Sequence, residues 1–173
     1  LISITDGQIF LSPNLFELGV LPAVDVGRSV SRVGGKAQLN GYRSVTGSLK
    51  LAYAQFEELE SFARFGARLD QETLAVIEHG KRIRSCLKQS ENRPLPALSQ
   101  LTVLLALSHG LLDGIPVENI PDCEDSLIAA AKDIPAGLGQ RFYNSENLTD
   151  EDRNIILDLC RRTIESLHVQ SGS

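Results

Sequence analysis

Up to about Val33 the chain reads as strand, turn and loop, and from about Gly35 onward every strong signal recurs with helical spacing. A single switch of that kind calls for a small β-rich piece followed by an all-helical body. In the first part, "LISITDGQIFL" (residues 1–11) sets β-branched and aromatic residues around Asp6-Gly7, which predicts two short strands joined at a turn. "SPNLFELGVLPAVDV" follows, with Pro13 and Pro22 as breakers and Gly19 as a turn residue. In the second part, Val45, Leu49, Ala52, Phe56, Leu59 and Ala63 fall on one face of a long helix that Gly66 stops and whose start Gly41 and Gly47 weaken. Asp70 caps the next helix and Pro94 lies beyond its end. "ALSQLTVLLALSHGLL" is apolar nearly all round and predicts a buried helix. "PDCEDSLIAAAKDIP" is a shorter helix bounded by Pro121 and Pro135. The last helix opens with Thr149 and Asp152 at capping spacing, and its apolar stripe runs through Ile156, Leu159, Thr163 and Leu167. The expected fold is mainly α: a bundle of about five or six helices after a short β-rich piece.

Composition narrows what such a fold can do. Hydrophobic residues make up 42% and charged residues 23%, an ordinary globular balance. No run reaches the roughly 20 apolar residues that cross a bilayer, so any membrane link is expected through a partner. The net charge of -5 opposes binding to polyphosphate, and no nucleic-acid partner is expected. The basic stretch Lys81, Arg82, Arg84, Lys88 reads as a solvated helix end. Cys86, Cys123 and Cys160 form no CxxC pair, and His79, His109 and His168 lack metal-ligand spacing, so neither a disulfide framework nor a metal site is encoded. The chain opens on Leu1 and contains no methionine, from which we expect a piece of a longer protein.

Two stretches suggest chemistry and then fail to carry it. "GGKAQ" places Gly-Lys at a helix start, as phosphate loops do. The full GxxxxGK[ST] pattern, however, needs glycine where Val30 stands and a hydroxyl where Ala37 stands. Nucleotide hydrolysis by this chain alone is therefore not expected. Glu57, Glu58 and Glu60 could suggest an acid/base pair, but their spacing puts them opposite the apolar stripe, on a solvated face. No serine, cysteine or lysine has a base at motif spacing, which leaves nucleophilic catalysis unsupported.

In order, "ISITDGQIFL", "PAVDVGRSVS", "SRVGGKAQ", "FARFGARLD" and "CLKQ" resemble the alpha subunit of the F-type rotary ATP synthase. Pro22, a small residue, an aliphatic, Asp25 and then Ser29-x-Ser31 look like the signature that alpha and beta subunits share; "SITDGQIFL" and "SVSRVGGKAQ" look alpha-like. The resemblance covers nearly the whole chain and weakens after about residue 95. "LSPNLFELGVLPAVDVGRSVSRVGGKAQ" is closer in flavour to the divergent alternate bacterial alpha subunits, some suggested to serve sodium-translocating synthases.

The resemblance implies a C-terminal fragment of a non-catalytic, regulatory subunit. Residues 1–34 would end a nucleotide-binding domain whose phosphate loop lies upstream, and residues 35–173 would form the helical domain. Arg32 aligns with the family's arginine finger, which crosses to the γ-phosphate bound in a neighbouring beta subunit. A permanently charged planar fork suits that task, because it neutralises phosphoryl oxygens without transferring a proton. Ser3 and Ser29 match positions on the same interface side, where hydroxyls shape the phosphate environment; the alternative is strand serines that satisfy local backbone. Gln89 matches a glutamine beside the adenine of the non-catalytic nucleotide. Glu91 and Leu21 depart from the glutamine and arginine usual near that pocket, which puts its occupancy in doubt. The loop around Asp70 resembles the segment facing the rotating stalk.

The implied partners are the beta subunits and the central-stalk gamma subunit, with ATP or ADP and Mg in the full subunit and no cofactor in the fragment. The implied location is peripheral, on the cytoplasmic side of the bacterial inner membrane. The chain alone is not expected to be an enzyme, although its parent complex is, and cut strands could make it self-associate. A second reading is a stand-alone helical protein-interaction module with no nucleotide chemistry. Because strands cut from a parent sheet leave ladder groups unpaired, the helical portion from residue 35 is expected to fold on its own, while residues 1–33 are not expected to hold their native pose.

Overall fold

The computed structural model describes residues 4–64, 69–90 and 92–171. Two short strands, β1 (Gly7–Gln8) and β2 (Val30–Ser31), pair antiparallel, and the remaining elements among the described residues are helical. These are α1 (Pro13–Glu17), α2 (Gly34–Ala37), α3 (Asn40–Arg64), α4 (Gln71–Cys86), α5 (Ala97–Ser108), α6 (Ile120–Ala130), α7 (Ala136–Tyr143) and α8 (Asp150–Ser171), with single 3-10 turns at Val117–Asn119 and Ala131–Asp133. The fold is mainly α behind a small sheet, as the change of period predicts. None of the described helices is long and apolar enough to cross a membrane.

The expected hairpin about Asp6-Gly7 is corrected: Gly7 lies inside β1, and the partner strand arrives from Val30–Ser31. A Cβ at Gly7 would stand 2.7 Å from the Val30 carbonyl oxygen, so this glycine serves a close strand approach and not a turn. Pro13 and Pro121 are not outer boundaries either. Each sits in the first turn of a helix, where its missing N–H costs no hydrogen bond. The stop expected at Gly66 lies outside the described residues.

The chain divides into two compact units. The first joins Leu1–Gln38 with Lys50–Arg93. Phe56 on α3 is fully buried, and a Cβ at Gly80 on α4 would fall 2.0 Å from its ring, so the α4 backbone lies directly against the Phe56 side chain. Tyr53, Ile77, Ile83, Leu15 and Val20 complete this core. Two readings of surface charge are corrected here. Arg82 is buried. Arg84 lies against the Phe56 ring at 4.4 Å and donates a two-pronged pair of hydrogen bonds to Glu60, Nη1 to Oε1 at 2.9 Å and Nη2 to Oε2 at 2.8 Å. Of the three glutamates expected on a solvated face, only Glu58 is exposed.

The second unit joins Leu39–Leu49 with Pro94–Ser173. Here α5 packs on α6 and α8, and α6 packs on α8. Leu101, Leu105, Leu107, Ile120, Leu127 and Ile156 are almost wholly buried, as the all-round apolar character of α5 requires. Gly41 and Gly47 do not delay α3, which starts at Asn40. A Cβ at Gly41 would meet the Phe142 ring at 2.8 Å, so this position is small for packing. The cap expected for α8 forms as a reciprocal pair: the Asp152 amide donates to Thr149 Oγ1 and the Thr149 amide donates to Asp152 Oδ2, each at 3.1 Å. The α8 stripe is corrected. Its buried line is Ile156, Leu157, Cys160 and Ile164, whereas Leu159, Thr163 and Leu167 are half-buried.

Candidate functional site

Arg32 is placed by backbone geometry. It follows β2 directly, its amide donates to the Asp6 carbonyl at 2.8 Å in continuation of the ladder, and its side chain is exposed. The next amide-to-hydroxyl bond, Gly34 N–H to Ser31 Oγ at 2.8 Å, turns the chain into α2. The "GGKA" segment is the single turn α2.

Ser29 lies at the other end of β2 and has two local partners. Its hydroxyl donates to the Asp25 carbonyl at 2.5 Å and accepts from the Phe10 amide at 3.0 Å. Asp25 organises the same turn: its carboxylate accepts from the Arg28 amide at 2.9 Å, and its carbonyl also accepts from the Ser29 amide at 3.0 Å. The Arg28 guanidinium covers the Phe10 ring at 3.9 Å. From α3, the Lys50 ammonium donates to the Ser29 carbonyl at 3.4 Å.

Gln89 emerges just past α4. Its amide donates to the Leu21 carbonyl at 2.8 Å, and its side-chain nitrogen donates to the Arg93 carbonyl at 3.3 Å. The structure thus brings Gln89 beside Leu21, whose peptide to Pro22 is cis. Ser3, Glu91 and most of the loop before Asp70 lie outside the described residues. Asp70 caps α4, accepting from the Thr73 amide at 2.7 Å, and hydrogen bonding from the Thr73 side chain and then from its amide holds the Asp70 carboxyl below the ordinary aspartate value.

A cleft of about 270 Å³ in the same unit is lined by Ser12, Leu15, Asp25, Glu57, Glu60 and Arg84, among others. Burial, and then the Asp25 carboxylate, push the Glu57 carboxyl above its usual range. Sequence reasoning missed this cleft, because Glu57 and Glu60 meet Asp25 and Arg84 only through tertiary packing. Burial pushes the Cys123 thiol up to about 11 and the Cys160 thiol up to about 12, so both stay protonated at neutral pH. Among the described residues, no group of His, Cys, Asp or Glu could hold a metal ion.

Among the described residues the chain is a mainly helical fold with one short two-stranded sheet. The chain belongs to the family described as ATP synthase alpha/beta chain, C terminal domain, which matches residues 38–163. Among its relatives, the chain is similar to ATP synthase subunit alpha 2 of Albidiferax ferrireducens, with 61% identity over 96% of this chain and 31% of that protein. It is also similar to ATP synthase subunit alpha 1 of Shewanella frigidimarina, with 60% identity over 93% of this chain and 31% of that protein. ATP synthase subunit alpha 2 of Polaromonas naphthalenivorans is 58% identical over 95% of this chain and 32% of that protein. The chain therefore spans about a third of the length of the curated relatives it matches.

Proposed function

We propose that this chain is the part of a non-catalytic alpha subunit that supplies Arg32 in trans to a catalytic site on a neighbouring beta subunit, during proton- or sodium-coupled ATP synthesis and hydrolysis. One observation carries the reading: the Arg32 backbone is fixed by the Asp6 carbonyl while its side chain is exposed, and no described residue forms an ion pair with it. A guanidinium held at a strand end is available to another molecule without breaking an internal salt bridge.

On this reading residues 1–34 close a nucleotide-binding domain and residues 35–173 are the helical domain, a division by origin that differs from the compact units. The phosphate loop that holds ATP or ADP and Mg lies in the part of the subunit that precedes these residues. Beta subunits flank it, the gamma subunit of the central stalk faces the helical domain, and the complex is peripheral on the cytoplasmic side of the bacterial inner membrane. Ser3 belongs to the catalytic interface. Gln89 borders the adenine of a non-catalytic nucleotide, a role its position against Leu21 supports.

The test is Arg32→Lys in full-length alpha, reassembled with beta and gamma. Lysine keeps the charge and loses the fork. Steady-state hydrolysis is expected to fall by about 10³-fold or more with nucleotide binding at the beta sites retained. Near-normal turnover would reject the role.

A further inference from the structure

We propose that Ser29 is a positioning residue for Arg32, acting by locking the register of β2, and that it does not contact nucleotide. The inference rests on the reading of Arg32 as the residue used in trans. It starts from an irregularity in the sheet. Gly7 faces Ser31 and Gln8 faces Val30, a register that would set Leu11 opposite Gly27; instead Leu11 bridges Val24, so three residues are extra on the later strand. They are taken up in the turn that Asp25 closes, with both the Arg28 and the Ser29 amides bonded back to it. The β2 strand is only two residues long, too short to fix its own register by pairing.

Ser29 stands where the two registers meet. Its hydroxyl joins the turn, through the Asp25 carbonyl at 2.5 Å, to the opposing strand, through the Phe10 amide at 3.0 Å. A serine hydroxyl has one hydrogen to donate, and here the Asp25 carbonyl takes it. A phosphate oxygen at neutral pH offers mainly acceptors, so it would have to compete for that same hydrogen. The geometry therefore assigns the hydroxyl to the backbone. Arg28 over the Phe10 ring supports the same pairing from the side-chain level, since Phe10 and Arg28 are opposite each other in the β2 register.

The consequence for Arg32 is mechanical. Without the Ser29 clasp, β2 can exchange residues with the turn, and a slip of one residue moves the strand by about 3.3 Å and turns its side chains over. A misplacement of about 1 Å is enough to cost on the order of 10² in rate when a group must meet its target in one geometry.

Turnover and nucleotide dissociation constants at the beta sites would be measured for reassembled complexes carrying Ser29→Ala, Ser29→Thr, Arg32→Lys and the Ser29→Ala/Arg32→Lys pair. We expect Ser29→Ala to lower turnover by about 10- to 100-fold with nucleotide affinity unchanged, and Ser29→Thr, which restores the hydroxyl, to return it to within about threefold. In the Arg32→Lys background, Ser29→Ala should add no further loss, because a residue that acts only through the guanidinium has nothing left to position. A further loss in the pair, or weaker nucleotide binding by Ser29→Ala, would mean direct contact and overturn the proposal, as would normal turnover of Ser29→Ala. Normal turnover of Arg32→Lys is a separate outcome that rejects the role of Arg32 itself. Should Ser29→Ala block assembly, Ser29→Cys, which keeps a small side chain with a slightly larger, weakly hydrogen-bonding atom, carries the same comparison.

Discussion

Glycines in helices separate local propensity from packing in this chain. Gly47 and Gly80 both lie inside long helices, where glycine costs up to about 1 kcal/mol relative to alanine. A Cβ at Gly47 would meet nothing within 4 Å, whereas one at Gly80 would fall 2.0 Å from the fully buried Phe56 ring. Propensity decides the first case and overlap decides the second. We therefore expect Gly47→Ala to stabilise this chain by about 0.5–1 kcal/mol and Gly80→Ala to destabilise it by about 1–3 kcal/mol or more, since neither ring nor backbone can yield cheaply. Urea unfolding of the two variants checks both signs. Two destabilisations would mean that α3 is not helical at Gly47, and two stabilisations would mean that α4 does not lie on Phe56. The same contact sets the environment of Arg84, which the sequence alone does not show. Its pairing with Glu60 depends on α3 and α4 meeting where Gly80 permits, and no spacing rule connects residues so far apart in the chain.

Elements were legible where a rule is local. The buried helix α5 could be read because its apolar residues leave no polar face, and the start of α8 could be read because the Thr149–Asp152 cap lies within one turn. Neither the α8 stripe nor α7 followed from pattern. Leu157, Cys160 and Ile164 compete with Leu159, Thr163 and Leu167 at the same helical spacing, and only the α5 and α6 faces choose between them. Helix α7 contains Gly137 and Gly139, which hide its period; buried Leu138 and Phe142 hold it by tertiary contact. At the candidate site, the exposed end of β2 at Arg32 was legible as a strand boundary, whereas the three-residue register shift depends on pairing that β1 and β2 make only when folded. The α8 cap also yields a pH prediction. Asp152 is 2% exposed, and its bond from Arg141, supported by Thr149, holds its carboxyl below the ordinary value near 3.9. A lowered folded value means the unfolded state binds the proton more readily. The stabilisation is complete above the unfolded value and is lost as pH falls through the folded one. Asp152→Asn should cost about 1–2 kcal/mol at pH 7 and flatten the acid limb of the stability curve measured between about pH 5 and 2. An acid limb unchanged by the substitution would show that other carboxylates control it.

At the scale of the whole chain, the first compact unit is assembled from segments far apart in sequence, and this bears on what residues 35–173 can do alone. Leu15 and Val20 are buried in that unit, the Leu21 carbonyl accepts from the Gln89 amide, and the Ser29 carbonyl accepts from Lys50. Deleting residues 1–34 removes all of these contacts. At about 1.5–3 kcal/mol for each buried aliphatic side chain, the lost burial alone is roughly 3–6 kcal/mol, a large share of the 5–15 kcal/mol that holds a typical domain. The second unit draws no residue from that segment. Self-sufficiency of the helical portion should therefore hold for one unit and fail for the other. In a chain beginning at residue 35, amide hydrogen exchange should stay slow in α5 and α8 and accelerate at least tenfold in α4. The comparison is internal to one sample, so a general loss of stability, which would speed exchange in every helix alike, is distinguishable from the selective loss expected here. Equal protection of α4 in the full and shortened chains would mean that α3 and α4 hold together through Phe56 and Gly80 without the N-terminal segment.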